Sequence, residues 1–220
     1  MRPHSKATRS VLTVGKGGRG FVVKHGRGRR SRRIVVTAAH CLPTVPPARE
    51  GKLIGDVSYA KILGPLGEEL TASAKCLFAD PVSDLALLGP PDTQALPDES
   101  EAFEALVEAA TRLPIGDIPA ATKIRAWLLS LEDDWLPCSV IHHGGSILIE
   151  NASRTVLEGM SGSPILNDQE MAIGMVTVRS QEPGTFLTGG GPNPRLANSL
   201  PVWAVVDALK LLSRFRHTWR

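Results

Sequence analysis

Short apolar and β-branched runs separated by Gly-, Pro- and Arg-rich stretches fill both halves of the chain, and one stretch of helical spacing divides them. Phe21-Val22-Val23 and Arg33-Ile34-Val35-Val36 read as a hairpin that ends at Thr37 and delivers His40 just past a strand. Residues 53–54, 57–59, 74–77 and 85–88 are further strand candidates, closed off by Pro90-Pro91. From Asp98 to Leu113 the period changes: Phe103, Leu106, Val107 and Ala110 fall on one helical face, and Asp98 with Glu101 forms a capping pair. Strand-like runs resume at 123–131, 139–141, 146–149, 163–166 and 172–178. After Pro201 the spacing of Val202, Val205, Val206, Leu209 and Leu212 predicts a terminal helix. Arg214, Arg216 and Arg220 near its end suit the negative end of the helix dipole and need no other role.

A chain of 220 residues makes one sizeable domain or two small packed ones, and 21 Gly with 17 Pro favour strands joined by turns over a helical bundle. The formal charge of +3 does not by itself call for nucleic acid. Five arginines between Gly26 and Arg33 read as a solvated hairpin tip, and the four tryptophans lack the spacing of a base-stacking platform. The sequence shows neither a secretory leader nor about 18 consecutive apolar residues, so the expected location is the cytoplasm, with no membrane partner. Cys41, Cys76 and Cys138 are odd in number and irregular in spacing, which predicts buried thiols rather than a disulfide framework.

Chemistry concentrates in three places. His40 lies in Thr37-Ala38-Ala39-His40-Cys41, Asp84 follows 44 residues later in Ser83-Asp84-Leu85-Ala86-Leu87-Leu88, and Ser161 comes 77 residues further on in Gly159-Met160-Ser161-Gly162-Ser163-Pro164. A serine hydroxyl is almost wholly protonated near neutral pH, so it needs an imidazole to take its proton during attack. The imidazole in turn needs a carboxylate to hold one tautomer and stabilise the charge it gains. Negative charge developing on a carbonyl oxygen needs fixed donors, which the amides of Gly159 and Ser161 could supply if glycine allows the required backbone. The order His, Asp, Ser is that of chymotrypsin-type β-barrel hydrolases. His142-His143 are adjacent strand residues pointing to opposite faces without further ligands, so neither a metal nor any other cofactor is expected.

At these motifs the sequence resembles the trypsin-like serine peptidases, most nearly their HtrA (Deg) and other bacterial-type branch. The resemblance begins at Gly18-Arg19-Gly20-Phe21-Val22-Val23 and reaches about Pro201, running without a gap from Ser161 to Thr177. It implies an all-β fold of two antiparallel six-stranded barrels, to which the helical spacing adds an inserted helix, a departure from the family, and a C-terminal helix. The corresponding parts are 1–97, 98–114, 115–200 and 201–220. His40 and Asp84 would come from the first barrel and Ser161 from the second, with Gly159 and Ser161 as the oxyanion hole. Thr155, Val156, Leu157, Met175, Val176 and Thr177 would line the substrate pocket, and the lack of an acidic floor implies preference for a small or medium apolar residue. Where zymogen-activated relatives place Asp before the nucleophile this chain has Met160, so activation by N-terminal cleavage is not expected. About 20 residues follow Pro201, too few for the PDZ domain usual in the HtrA branch. The implied activity is hydrolysis of protein or peptide substrates through an acyl-enzyme. Two alternatives stay open: a protease that waits for an activating partner or adjoining domain, and a protease-fold binding or sensor module with little turnover.

Overall fold

The computed structural model describes residues 4–25, 31–45, 57–177 (except 82, 117, 119–121, 144 and 145), 197–201, 206 and 210. Among the described residues, twelve strands form two closed antiparallel barrels of six. The first holds β1 (Val11–Val14), β2 (Gly18–His25), β3 (Arg32–Ala38), β4 (Ser58–Pro65), β5 (Ala72–Asp80) and β6 (Leu85–Gly89) in the order β1-β2-β3-β6-β5-β4. Pairing of Leu12 with Pro65 and Val14 with Leu63 closes it. The second holds β7 (Lys123–Leu129), β8 (Trp135–His143), β9 (Ser146–Glu150), β10 (Pro164–Leu166), β11 (Ala172–Val176) and β12 (Ala197–Pro201), closed where Ile165 of β10 meets Leu128 of β7. The expected all-β double barrel is therefore present.

Two of the runs that predicted strands are buried on both faces. Ile34 to Ala38 in β3 and Leu85 to Gly89 in β6 are buried throughout, because one face of each strand fills the barrel while the other is covered from outside. The inserted helix α2 (Pro97–Ala109), with Phe103 and Val107 fully buried, packs on β3, β4 and β5, the second barrel meets β3, and a short helix α1 (Ser5–Thr8) adds Ala7 to the same core. The first-barrel core runs on without a break into Leu129, Trp135, Leu166, Ala172 and Met175 of the second, while Leu128, Val140, Ile147, Ile149 and Ile165 lie in that barrel's own core.

Helix α2 differs from expectation at both ends. Asp98 is not a cap: Leu96 holds the N-cap position without a side-chain bond, Pro97 opens the first turn, and Asp98 and Glu99 sit inside it, where their charges suit the helix dipole. The helix stops at Ala109 instead of running to Leu113. Arg33 of β3 donates to the carbonyls of Val107 (2.7 Å), Glu108 (3.0 Å) and Ala110 (2.8 Å) and pairs with the Glu108 carboxylate at 2.8 Å, ending the helix from the side. Leu113 is then free to donate to Val22 O at 2.9 Å. Ala172 N–H to Pro114 O and Gly116 N–H to Ala172 O, both 2.9 Å, carry this connection onto the second barrel.

Strand β8 begins at Trp135, before the expected 139, because Pro137 is accommodated opposite Trp127 in the β7–β8 ladder. Strands β1 and β12 and helix α1 were not anticipated. The expected strand at 53–54, most of the arginine-rich tip and nearly all of the terminal helix lie outside the described residues. The three cysteines are free and buried, and burial pushes the thiols of Cys76 and Cys138 up to about 11 and about 12.

Candidate active site

The β3–β6 register brings His40 to Asp84. Ala38 pairs with Leu85, so the residues after β3 and before β6 are neighbours, and Ala39 N–H donates to Asp84 O at 3.1 Å. A single 3-10 turn, Ala39–Cys41, then places the imidazole. Asp84 has a left-handed backbone, φ 58°, and a buried side chain. One carboxylate oxygen accepts the main-chain N–H of His40 at 3.0 Å, and the other lies 2.7 Å from Nδ1. His40 itself is about half exposed at the cleft. The Asp84 hydrogen bond raises the His40 pKa from 6.5 to about 10; Cys41 adds to the rise, and partial burial opposes it.

Ser161 sits on the β9–β10 connection between two glycines in the left-handed region, Gly159 at φ 86° and Gly162 at φ 83°. Met160 N–H donates to Leu157 O (3.2 Å), Gly162 N–H to Val176 O (2.8 Å) and Ser163 N–H to Met160 O (3.0 Å). Among the described residues, the amides of Gly159 and Ser161 donate to none, so both remain available to an external acceptor. That is the donor pair an oxyanion needs. The Ser161 carbonyl is held by Arg19 N–H at 2.8 Å, with the buried Cys41 thiol 3.8 Å away. A Cβ on Gly162 would overlap the Arg19 carbonyl oxygen, so this close approach requires glycine. Met160, the residue that departs from zymogen relatives, is buried in the second-barrel core, and its sulfur accepts Leu157 N–H at 3.3 Å. Ser161 is buried, and its Oγ makes no hydrogen bond among the described residues.

His40, Asp84, Gly159 and Ser161 border one open cleft of about 860 Å³ between the barrels. Leu42, Pro43 and Val45 give it an apolar side, and Lys16 and Glu158 place one charge of each sign beside Gly17 and Gly159. None of the six residues expected to line the substrate pocket borders this cleft. Thr155 and Leu157 are exposed, Val156 packs against the second core, Met175 and Val176 are wholly buried, and Thr177 is buried. Strand alternation sends Met175 to the core shared with the first barrel and Val176 to the second barrel's own core.

Glu158, the last of the residues 155–158 expected before the nucleophile, does border the cleft, whereas Lys16 and Arg19 are site neighbours that the sequence did not point to. Nothing local marks Arg19, since its partners Leu129 and Ser130 lie 110 and 111 residues away. Among the described residues no cluster of three or more His, Cys, Asp and Glu could hold a metal ion.

Two closed six-stranded barrels, with a paired His and Asp on one and a serine between two left-handed glycines on the other, define the chymotrypsin-like double-barrel class. A family model described as trypsin-like peptidase domain matches residues 18–175, and the chain belongs to that family. No curated protein matches the chain. Among solved structures, the MamO protease domain from Magnetospirillum magneticum, in its apo form, is similar over 93% of this chain and 97% of that one, at 13% identity and a TM-score of 0.51. Rv3671c from M. tuberculosis, solved as a serine-to-alanine mutant in an inactive form, is similar over 94% of this chain and 88% of that one, at 14% identity and a TM-score of 0.53. At these identities the likeness concerns the fold.

Proposed function

We propose that this protein is a serine endopeptidase. Ser161 Oγ attacks the scissile carbonyl while His40 takes its proton; the tetrahedral oxyanion is met by the amides of Gly159 and Ser161. His40 then returns the proton to the leaving amine, and the acyl-enzyme is released by water activated at the same imidazole. Asp84 keeps the Nδ1 proton in place and stabilises the imidazolium. The carrying observation is the bonded His40–Asp84 pair in one cleft with Ser161 and two uncommitted amides.

The Gly18-Arg19-Gly20-Phe21 start and the run from Ser161 to Thr177 support a place near the HtrA branch. Three buried free thiols suit a reducing compartment, as the cytoplasm is. A small or medium apolar residue before the cut fits the absence of an acidic residue at 155–157.

One observation favours a latent form of the same enzyme: Ser161 Oγ is not bonded to His40, so substrate or an activating partner would close the last link. Incubation with a mixture-based peptide library, read by mass spectrometry, tests the function. Cleavage by the native chain and none by Ser161→Ala is the expected result; cleavage by both, or by neither across the library, contradicts an enzyme active alone.

A further inference from the structure

Arg19 belongs to the first barrel but its guanidinium is spent on the second. From β2 it crosses to the β7–β8 turn, residues 130–134, where Nη1 donates to the carbonyls of Leu129 (3.1 Å) and Ser130 (2.7 Å) and Nη2 to Asp133 Oδ1 (3.2 Å). The side chain is buried, and burial lowers its pKa, so these acceptors are what keep a desolvated cation in place. Only a planar fork reaches two carbonyls and a carboxylate at once; a lysine has a single nitrogen to offer.

The main chain of the same residue grips the nucleophile turn. Its N–H donates to Ser161 O, its carbonyl accepts Thr37 Oγ1 at 2.7 Å, and that carbonyl abuts Gly162. The turn at the far end of its side chain also reaches the site. Leu131 lies against Gly159, where an added Cβ would stand 3.2 Å from Leu131 Cδ2. Leu131 is 43% exposed, so burial does little to fix it and the geometry of its turn must. That turn is tight: Ser130 N–H donates to Asp134 O at 2.8 Å, Ser130 Oγ accepts the amides of Glu132 and Asp134, and Asp133 takes φ 61°.

We propose that Arg19 is the positioning residue of the oxyanion loop: its backbone fixes Ser161, and its side chain, through the β7–β8 turn and Leu131, fixes Gly159. The two amides that would share the oxyanion are thus set from one residue on the opposite barrel. This deepens the peptidase reading and rests on it for kinetics, but the mechanical claim stands apart from turnover.

The test compares the native chain with Arg19→Met, Arg19→Lys, Asp133→Asn and Leu131→Ala. Two readouts are amide exchange in peptides covering 129–135 and 157–165, and the rate of fluorophosphonate addition per folded molecule. Arg19→Met is expected to speed exchange in both segments about tenfold or more and slow addition at least tenfold, with Arg19→Lys restoring only part. Leu131→Ala should speed exchange at 157–165 while sparing 129–135, and with a turnover substrate should lower kcat at unchanged KM. A merely structural Arg19 would lower the melting point yet leave folded molecules with native exchange at 157–165 and native addition, and that result overturns the proposal. If Arg19→Met does not fold, native exchange at 157–165 in both Asp133→Asn and Leu131→Ala overturns it equally. A native chain that takes no adduct while the exchange pattern appears as described sinks the peptidase reading and leaves the positioning role in place.

Discussion

The Asp84 carboxylate engages His40 twice, with one oxygen 2.7 Å from ring Nδ1 and the other accepting the main-chain N–H at 3.0 Å. Ring and backbone are thereby fixed together, which selects the tautomer protonated at Nδ1 and leaves Nε2 for the nucleophile.

Asp84→Asn tests this relationship. Asparagine tolerates the left-handed backbone at this position but offers one acceptor where the carboxylate offers two. Steady-state kinetics should show kcat down by about 10⁴-fold at nearly unchanged KM, as the same exchange does in a known triad. A loss under tenfold would mean Asp84 does not orient the base.

The raised His40 pKa sets the pH dependence. Near neutrality most of the imidazole is protonated and cannot act as a base, so kcat/KM should climb with pH through an inflection displaced above 6.5 toward about 10. Stability follows the opposite course. His40 is held more tightly when charged, so its contribution is complete below pH 6.5 and is lost as pH rises toward about 10. Urea unfolding of native and His40→Ala protein across that window should converge at the alkaline end; parallel curves would contradict the assignment.

The two glycines beside the nucleophile should fail differently. Gly159→Ala meets Leu131 Cδ2 at 3.2 Å and Gly17 O at 3.3 Å and strains a left-handed residue, so the Gly159 amide should be misdirected in a folded protein. Loss of one oxyanion donor is worth about 10²–10³ in kcat. Gly162→Ala would overlap a carbonyl already pinned by Thr37, so melting curves should show a large loss of stability as well. Equal behaviour of the two variants would count against the donor role of Gly159.

Helix α2 is a stability element in this account. Phe103→Ala empties a fully buried site under α2 and should cost about 3–5 kcal/mol by urea titration, with kcat per titrated active site unchanged.

Much of this was legible in the sequence where local pattern and burial agree. The β-branched runs of β2 and β3, the compact β6 after Asp84 and the face of Phe103 and Val107 all appear as expected. His40 and Asp84 could be paired because each sits at a strand end, and strand ends meet when strands pair. Legibility failed where distant groups decide. Arg33, from another strand, ends α2 before its apolar period does. Pro137, a breaker by local rules, is absorbed inside β8. The family resemblance names Thr155, Val156, Leu157, Met175, Val176 and Thr177 for the substrate pocket, and the packing that buries Met175 and Val176 completely cannot be read from it. Arg19 had no local signal, since its meaning depends on a turn in the other barrel.

The central claim is that His40, Asp84, Ser161 and the two free amides form one working site. Intact-mass detection of a fluorophosphonate adduct tests it most directly, on native, Ser161→Ala and His40→Ala protein. A single adduct on the native chain, absent from both variants, is the expected result. An adduct that survives Ser161→Ala, or none on the folded native chain at any pH up to about 10, would contradict it.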